Sequence, residues 1–312
     1  MKHRYDILSD FIHLVEKRFN CRIRVFDFLD ALQSVEGFAE HMSQEMIHDQ
    51  EYCLQIKSAP MLWRRCVLCK WTAVSRLRNN PAPYYGECFF SVGEYVYPLV
   101  INKRLLGYVG AYGFRGKTDV RYERLLCEAL EKHTGSPKET FLQYRKEQLA
   151  ECPASFDELR TSVAVIGELL LKLLWDTDNS GVYLPVAVEE WSLPVLQGME
   201  YINQLYMSEI RVTDIAGFCH VSESHLHHLF KRAYGCGPYE MLLNRRLNEA
   251  KRLLRESNLP VYAIARKCGF SDANYFSAVF KKKNNISCLK YRAHIMQERM
   301  KKTGSAEAAG LP

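Results

Sequence analysis

Apolar residues in the first 20 positions recur at helical spacing. Ile7, Phe11, Leu14, Val15 and Phe19 share one face, which predicts a helix there. The period then changes. CRIRVFDFL (21–29) alternates, with Ile23, Val25 and Asp27 on one side, as a strand does. Residues 38–57 and 62–78 return to helical patterning. From 84 to 114 the chain is rich in aromatic and β-branched residues with repeated glycine, YYGECFFSVGEYVYPLVINKRLLGYVGAYGF. This predicts three short antiparallel strands with a turn at Asn102–Lys103. A helix over 119–132 follows, so residues 1–150 read as one α+β domain.

Beyond it lies SFDELRTSVAVIGELLLKLLWD. Ser155 with Glu158 three residues on is a capping box that starts a helix. Leu159, Val163, Ile166, Leu170 and Leu173 then step by four and three, about two heptads. Two readings follow: a helix packed on its own domain, or a signal helix pairing two copies into a homodimer through 155–175. Pro185 and Pro194 bracket an expected linker. The expected organisation is a sensor over 1–150, a connecting helix and linker over 151–194, an all-helical unit over 195–298 and a flexible tail over 299–312.

A length of 312 residues suits two domains. With 47% apolar and 25% charged residues, the composition is that of a soluble globular chain. No apolar run reaches the roughly 20 residues a bilayer requires, since even 163–175 contains Glu168 and Lys172. Asp6 and Asp10 fall where a secretion signal needs an apolar core, so a cytoplasmic location is expected. The net charge of +6 is unevenly spread. Residues 195–302 hold 18 Lys or Arg against 9 Asp or Glu, and the remainder 24 against 27. A basic C-terminal third on a slightly acidic body suits a nucleic-acid module, although solvated basic faces are common.

That third contains a repeat. IAGFCHVSESHLHHLFKRAYGCGPYEM (215–241) is matched by IARKCGFSDANYFSAVFKKKNNISCLKY (264–291). Ile215, Ala216, Cys219 and Ser222 recur 49 residues later. After one insertion, Leu226, Leu229, Phe230 and Lys231 recur 50 residues later as Phe276, Val279, Phe280 and Lys281. Each copy predicts a short helix, a tight turn and a second helix opened by Ser222 or Ser271, whose outer face is polar. This is the pattern of a helix-turn-helix whose second helix enters the major groove. PYEMLLNRRLNEAKRLLRES, opened by Pro238, predicts a long connecting helix.

Over about 195–296 these residues resemble the AraC/XylS family of bacterial transcription regulators. The matching segments are IA…VS…L..LFKRAYGCGPYEML, RRLNEAKRLL and IARKCGFSDANYFSAVFKK…YR. Where that family carries an aromatic–Gly pair and then Pro, this chain has Asn284, Asn285 and Cys288. Asn tolerates a positive φ, so the turn is expected to survive, with the last helix less firmly docked. The resemblance implies double-stranded promoter DNA and RNA polymerase as partners. It places Ser224, His227 and His228 of the first head, and Ala273, Asn274, Ser277 and Ala278 of the second, toward bases. Asn can grip adenine in bidentate fashion, whereas Ala can only touch a thymine methyl, so the second head should discriminate less. Ser222, Lys231, Arg232, Arg246, Lys281, Lys282 and Arg292 are the expected phosphate contacts, and for any one cation the alternative is a solvated charge.

Of the eleven cysteines, Cys53, Cys66, Cys69 and Cys88 lie within 36 residues, and Cys66 and Cys69 form a C-x-x-C. Four thiols suggest zinc, though the second close pair of such sites is missing. A redox thiol would need a lowered pKa, which Arg64, Arg65 and Lys70 could provide. The remaining alternative is buried free cysteine. The Cys53…Cys66 spacing, Cys88 ten residues before Pro98 and the strand pair after it resemble the PocR-type sensory domain over about 5–150. That resemblance implies a PAS-like fold sensing a small organic molecule. Ser91 stands where that family usually has glycine, and no acidic residue lies near Cys69. Trp63, Cys66, Cys69, Cys88, Glu94, Tyr95 and Tyr97 are the candidate pocket residues, with an outer sheet face the competing place for the two tyrosines.

The expectation is therefore a cytoplasmic, non-enzymatic regulator reading two major grooves under control of a small organic effector. A metal- or thiol-responsive regulator using Cys53, Cys66, Cys69 and Cys88 is the alternative. A cysteine-dependent alkyl-transfer repair enzyme is a third reading, for which no nucleophile–base pairing is visible. No cofactor is expected.

Overall fold

The computed structural model describes residues 4–28, 32, 38–42, 44–46, 48–117, 120–178 and 192–297. The expected linker with Pro185 and the tail from 299 lie outside these.

The N-terminal half is built on one antiparallel sheet in the order β1-β4-β3-β2, from β1 (Arg22–Asp27), β2 (Tyr84–Glu87), β3 (Val92–Ile101) and β4 (Arg104–Arg115). Asn102 and Lys103, at φ 50° and 64°, make the tight turn that lets β3 and β4 pair along their length. Helix α1 (Arg4–Phe19) precedes the sheet. Where one helix was expected over 38–57 the chain breaks into α2 (Phe38–Met42), a 3₁₀ turn (Gln44–Met46) and α3 (Glu51–Lys57). The break is fixed from outside: Gln50 is extended and donates to the Gln148 carbonyl at 2.8 Å, and the Gln148 side chain accepts from Tyr52 N–H at 2.8 Å. Helices α4 (Pro60–Asn79), α5 (Val120–Thr134) and α6 (Lys138–Gln148) complete this side. Helix α6 buries only Phe141 and Arg145, too little to show as a period.

Arg145 explains a departure seen in the sequence. Ser91 takes φ 56°, the region that favours glycine. Its carbonyl accepts from Arg145 Nη1 at 3.0 Å and its hydroxyl from Nη2 at 3.2 Å, which holds a serine in a glycine's conformation.

Helix α7 (Phe156–Asp178) crosses the other sheet face, over β3 and β4. Leu159, Val163, Ile166 and Leu170 are fully buried there, each stabilised by about 2 kcal/mol. Four of the five seam residues are thus spent inside their own domain, and Leu173 is half-buried. Among the described side chains of this helix, Val165 and Leu169 are exposed apolar residues.

The C-terminal half is helical: α8 (Leu193–Leu205), α9 (Val212–Cys219), α10 (Glu223–Tyr234), α11 (Pro238–Glu256), α12 (Val261–Lys267), α13 (Ala273–Asn284) and helical residues 288–297. Pro194, expected to bound the linker, lies in the first turn of α8, where its missing N–H costs nothing. Helices α8 to α10 share one apolar core with the sheet domain, whereas α12 and α13 form their own around Ile264, Phe276 and Phe280.

Candidate nucleic-acid interface and ligand cavity

In the first unit, α9 ends at His220 in the left-handed conformation, φ 55°, and the chain turns into α10. The Ser222 hydroxyl accepts from His225 N–H at 3.2 Å and so caps that helix. Leu226 and Phe230 are fully buried, so the opposite face is turned outward. Ser224, His227, His228, Lys231 and Arg232 are exposed on it. Ser224, His227, His228 and Lys231 share one shallow surface with Glu223.

The second unit follows the same plan with a different cap. Asp272, not Ser271, opens α13, its carboxylate accepting from Asn274 N–H at 2.7 Å and Tyr275 N–H at 3.2 Å. The one-residue insertion in the repeat shifts the capping position by one. Asn274, Ala278, Lys281 and Lys282 are exposed, while Ala273 and Ser277 are half-buried. The Ser277 hydroxyl donates to the Ala273 carbonyl at 2.9 Å, which ties up its proton. Tyr275 is an exposed neighbour the sequence reading omitted; its hydroxyl meets that of Tyr239 at 2.8 Å. Asn285 holds the turn after α13 at φ 57°. The last helix is seated despite the missing proline: Cys288 is buried and the Tyr291 ring packs on Phe280 at 5.6 Å.

Two expected phosphate contacts are occupied elsewhere. Arg246 donates from Nε to the Tyr206 carbonyl at 2.7 Å and from Nη2 to that of Ser208 at 2.8 Å. Arg292 donates to the Leu259 carbonyl. Arg246 ties α11 to the end of α8, and Arg292 ties the last helix to the loop before α12. Gly269, at φ 82°, completes the first junction, since a Cβ there would stand 2.5 Å from the Tyr206 carbonyl oxygen.

The sheet domain encloses a cavity of about 370 Å³ between α4 and the sheet face opposite α7. Cys66, Cys69, Cys88 and Glu94 line it, as does Cys53. Tyr95 and Tyr97 do not. Strand alternation sends Glu94 and Val96 inward and the tyrosines to the other face, where Tyr97 donates to Glu168 of α7 at 2.7 Å. Trp63 also faces away: its ring stacks on Tyr201 of α8 at 5.4 Å and packs on Phe218 of α9 at 4.6 Å.

The lining is mostly apolar with a few polar groups. Burial pushes Glu94 up to about 7, against the pull of Lys70. His48 and Tyr112, missed by the sequence reading, stand with rings 4.1 Å apart. Burial drives His48 well below its ordinary value, so its ring is neutral. Among the described residues neither His48 Nδ1 nor the Tyr112 hydroxyl has a hydrogen-bond partner, and buried polar atoms are rarely left so.

Burial raises Cys66, Cys69 and Cys88, and pushes Cys53 up to about 12. Of the cations expected to activate them, Arg64 donates to the Phe218 carbonyl and Arg65 lies over Phe89, while Lys70 lines the cavity and pulls Cys53 and Cys66 down by less than burial pushes them up. Among the described residues no group of three His, Cys, Asp or Glu is placed to hold a metal ion. Among them, too, no helix is long and apolar enough to cross a membrane.

The two halves are bolted together where α3 and α4 meet α8 and α9. Lys70 pairs with Glu200 at 2.7 Å, Lys57 donates to the Gln204 side chain at 3.1 Å, and Arg64 reaches the Phe218 carbonyl at 3.0 Å.

Residues 215–294 match the model of a helix-turn-helix domain family. The lactose operon transcription activator of Staphylococcus xylosus is 35% identical over 100 residues, 32% of this chain and 36% of that protein. The regulatory protein PocR of Salmonella typhimurium is 23% identical over 257 residues, 80% of this chain and 84% of that protein. A crystal structure of a transcriptional regulator from Chromobacterium violaceum, with an AraC-type DNA-binding domain, is 29% identical over 33% of this chain and 93% of that one, at a TM-score of 0.32. The chain thus spans about a third of the lactose activator's length, but most of PocR's.

Proposed function

From the AraC-type helix-turn-helix domain that its C-terminal third carries, we propose that this chain is a transcription regulator with two DNA-reading heads, governed by a small organic molecule in the N-terminal cavity. The observation that carries the reading is the repeated unit itself: two capped helices, each with its apolar side buried and a polar, cation-flanked face exposed. Ser224, His227 and His228, with Asn274, Ala273, Ser277 and Ala278, are the base-reading residues in this view. Lys231, Arg232, Lys281 and Lys282 hold phosphates, Ser222 caps and contacts the backbone, and Arg246 and Arg292 brace the module.

The effector reading is supported by the orphaned Tyr112 and His48 atoms and by the Glu94 carboxyl, three polar groups around an apolar space. The sheet, with its first and last strands adjacent and helices over both faces, favours the PAS-like description. The raised thiols favour the small-molecule reading over the redox alternative. RNA polymerase is the partner for output, the cytoplasm the place of action, and exposed Val165 and Leu169 are available to a homodimer over 155–175.

Selection from randomised duplexes with the purified chain tests the DNA reading. Two enriched blocks about one helical turn, ~34 Å, apart are expected. A single block would refute the second head, and no enrichment at any salt would refute the proposal.

A further inference from the structure

Helix α4 separates the cavity from the DNA-binding half. Cys66, Cys69 and Ala73 face the cavity, whereas Trp63 and Arg64 face α8 and α9. Lys70 does both. It lines the cavity, and its Nζ pairs with Glu200 of α8 at 2.7 Å, the two side chains 9% and 12% exposed. A second void of about 30 Å³ lies between the sheet and α8, bordered by Leu196, Met199 and Glu200. Lys70 and Phe26 are the residues common to both linings, with Lys70 Nζ 4.6 Å from the centre of the Phe26 ring.

A buried carboxylate deprived of its cation is strongly destabilised. Any group in the cavity that draws Lys70 away from Glu200 therefore weakens the attachment of α8. Lys57 adds to the effect: it holds the His48 carbonyl on the cavity side and Gln204 on α8, so the two lysines act on the same helix.

We propose that Lys70 is the coupling residue between cavity and DNA-binding half. A ligand presenting a hydrogen-bond acceptor to its Nζ loosens the Lys70–Glu200 pair and releases α8 from α4. This rests on the reading of the cavity as the effector site. Both recognition helices are already exposed while α8 is docked, so release changes the freedom of the heads and not their accessibility. The ligand shifts the docked-to-free ratio only by the factor by which it prefers the free state.

Because the ligand is unidentified, the probe is an acceptor tethered inside the cavity. Ala73→Glu places a carboxylate one helical turn from Lys70, and Ala73→Leu fills the same space without an acceptor. Hydrogen–deuterium exchange over 193–205 and affinity for the selected duplex are measured in the full chain. Lys70→Met and Glu200→Gln should each raise α8 exchange at least tenfold and alter DNA affinity. Ala73→Glu should do the same and to a larger extent than Ala73→Leu, and should add nothing in the Lys70→Met background. Glu200→Gln carries the test if Lys70→Met does not fold. Should Ala73→Glu and Ala73→Leu change DNA affinity equally with or without Lys70, the coupling role falls and the effector reading stands. Should Lys70→Met and Glu200→Gln change DNA affinity while neither Ala73 variant does, the effector reading falls and the coupling proposal with it. Unchanged α8 exchange in both Lys70→Met and Glu200→Gln would overturn the coupling alone.

Discussion

Replacing Arg246 with Met separates two roles that a cation on a DNA-binding helix can play. Its guanidinium makes two short bonds to the Tyr206 and Ser208 carbonyls, and lies 5.6 Å from the centre of the Phe270 ring. Bonds from a charged donor are worth about 1.5–3 kcal/mol each, and a cation over an aromatic ring about 0.5–1. Arg246 is half-buried and water can serve part of what is lost, so a net cost of about 3 kcal/mol is expected. With a urea slope of about 2 kcal/mol/M, the unfolding midpoint of the helical half should fall by about 1.5 M. A phosphate contact behaves otherwise: its loss would leave stability nearly unchanged and reduce the salt slope of DNA binding by about 0.9. Urea unfolding of the full chain, followed by hydrogen exchange over 238–270, and binding to a non-specific duplex at several salt concentrations decide between them. An unchanged midpoint with a salt slope lower by about one would refute the bracing role.

Lys231→Ala should weaken binding to every duplex alike and lower the salt slope by about one, as fluorescence anisotropy at graded salt would show. His227→Ala should instead relax preference at one or two base pairs, about 1–3 kcal/mol in repeat selections, and equal loss on all sequences would exclude a reading role. Asp272→Ala should cost about 1 kcal/mol of stability and Ser271→Ala almost nothing, since the carboxylate of Asp272 caps α13. Glu94 is raised in the folded chain to about 7, so its neutral form favours folding. The unfolded chain ionises it first, so this stability is fully present below about pH 4.5 and lost as pH rises toward 7. Glu94→Gln should flatten that decline and stabilise the chain at pH 8 relative to its parent in thermal melts.

Local information was enough for the elements that carry their own period or punctuation. The repeat 49 to 50 residues apart disclosed two helix-turn-helix units because each must bury the same stripe, Leu226 and Phe230 or Phe276 and Phe280. Asn102–Lys103 disclosed a turn because few residues accept positive φ. Helix α6, polar on nearly every side, gave no such signal, and the cap of α13 was misplaced by one residue because Ser271 and Asp272 are both good caps. The cavity was half legible. Cysteine spacing led to Cys66, Cys69 and Cys88, and strand alternation, unphased, left the two tyrosines undecided between faces.

By itself the sequence determined the repeat, the basic third, the sheet hairpin and the helix that follows it, since each is a matter of neighbours along the chain. Tertiary structure alone decided which face of β3 meets the cavity and that four of the five α7 seam residues are consumed inside their own domain. It also decided that Arg246 braces and that Lys70 and Glu200, 130 residues apart, form one buried pair. Burial and pairing between distant segments are set by how whole layers pack, and no local pattern of residues encodes which layer a side chain will meet.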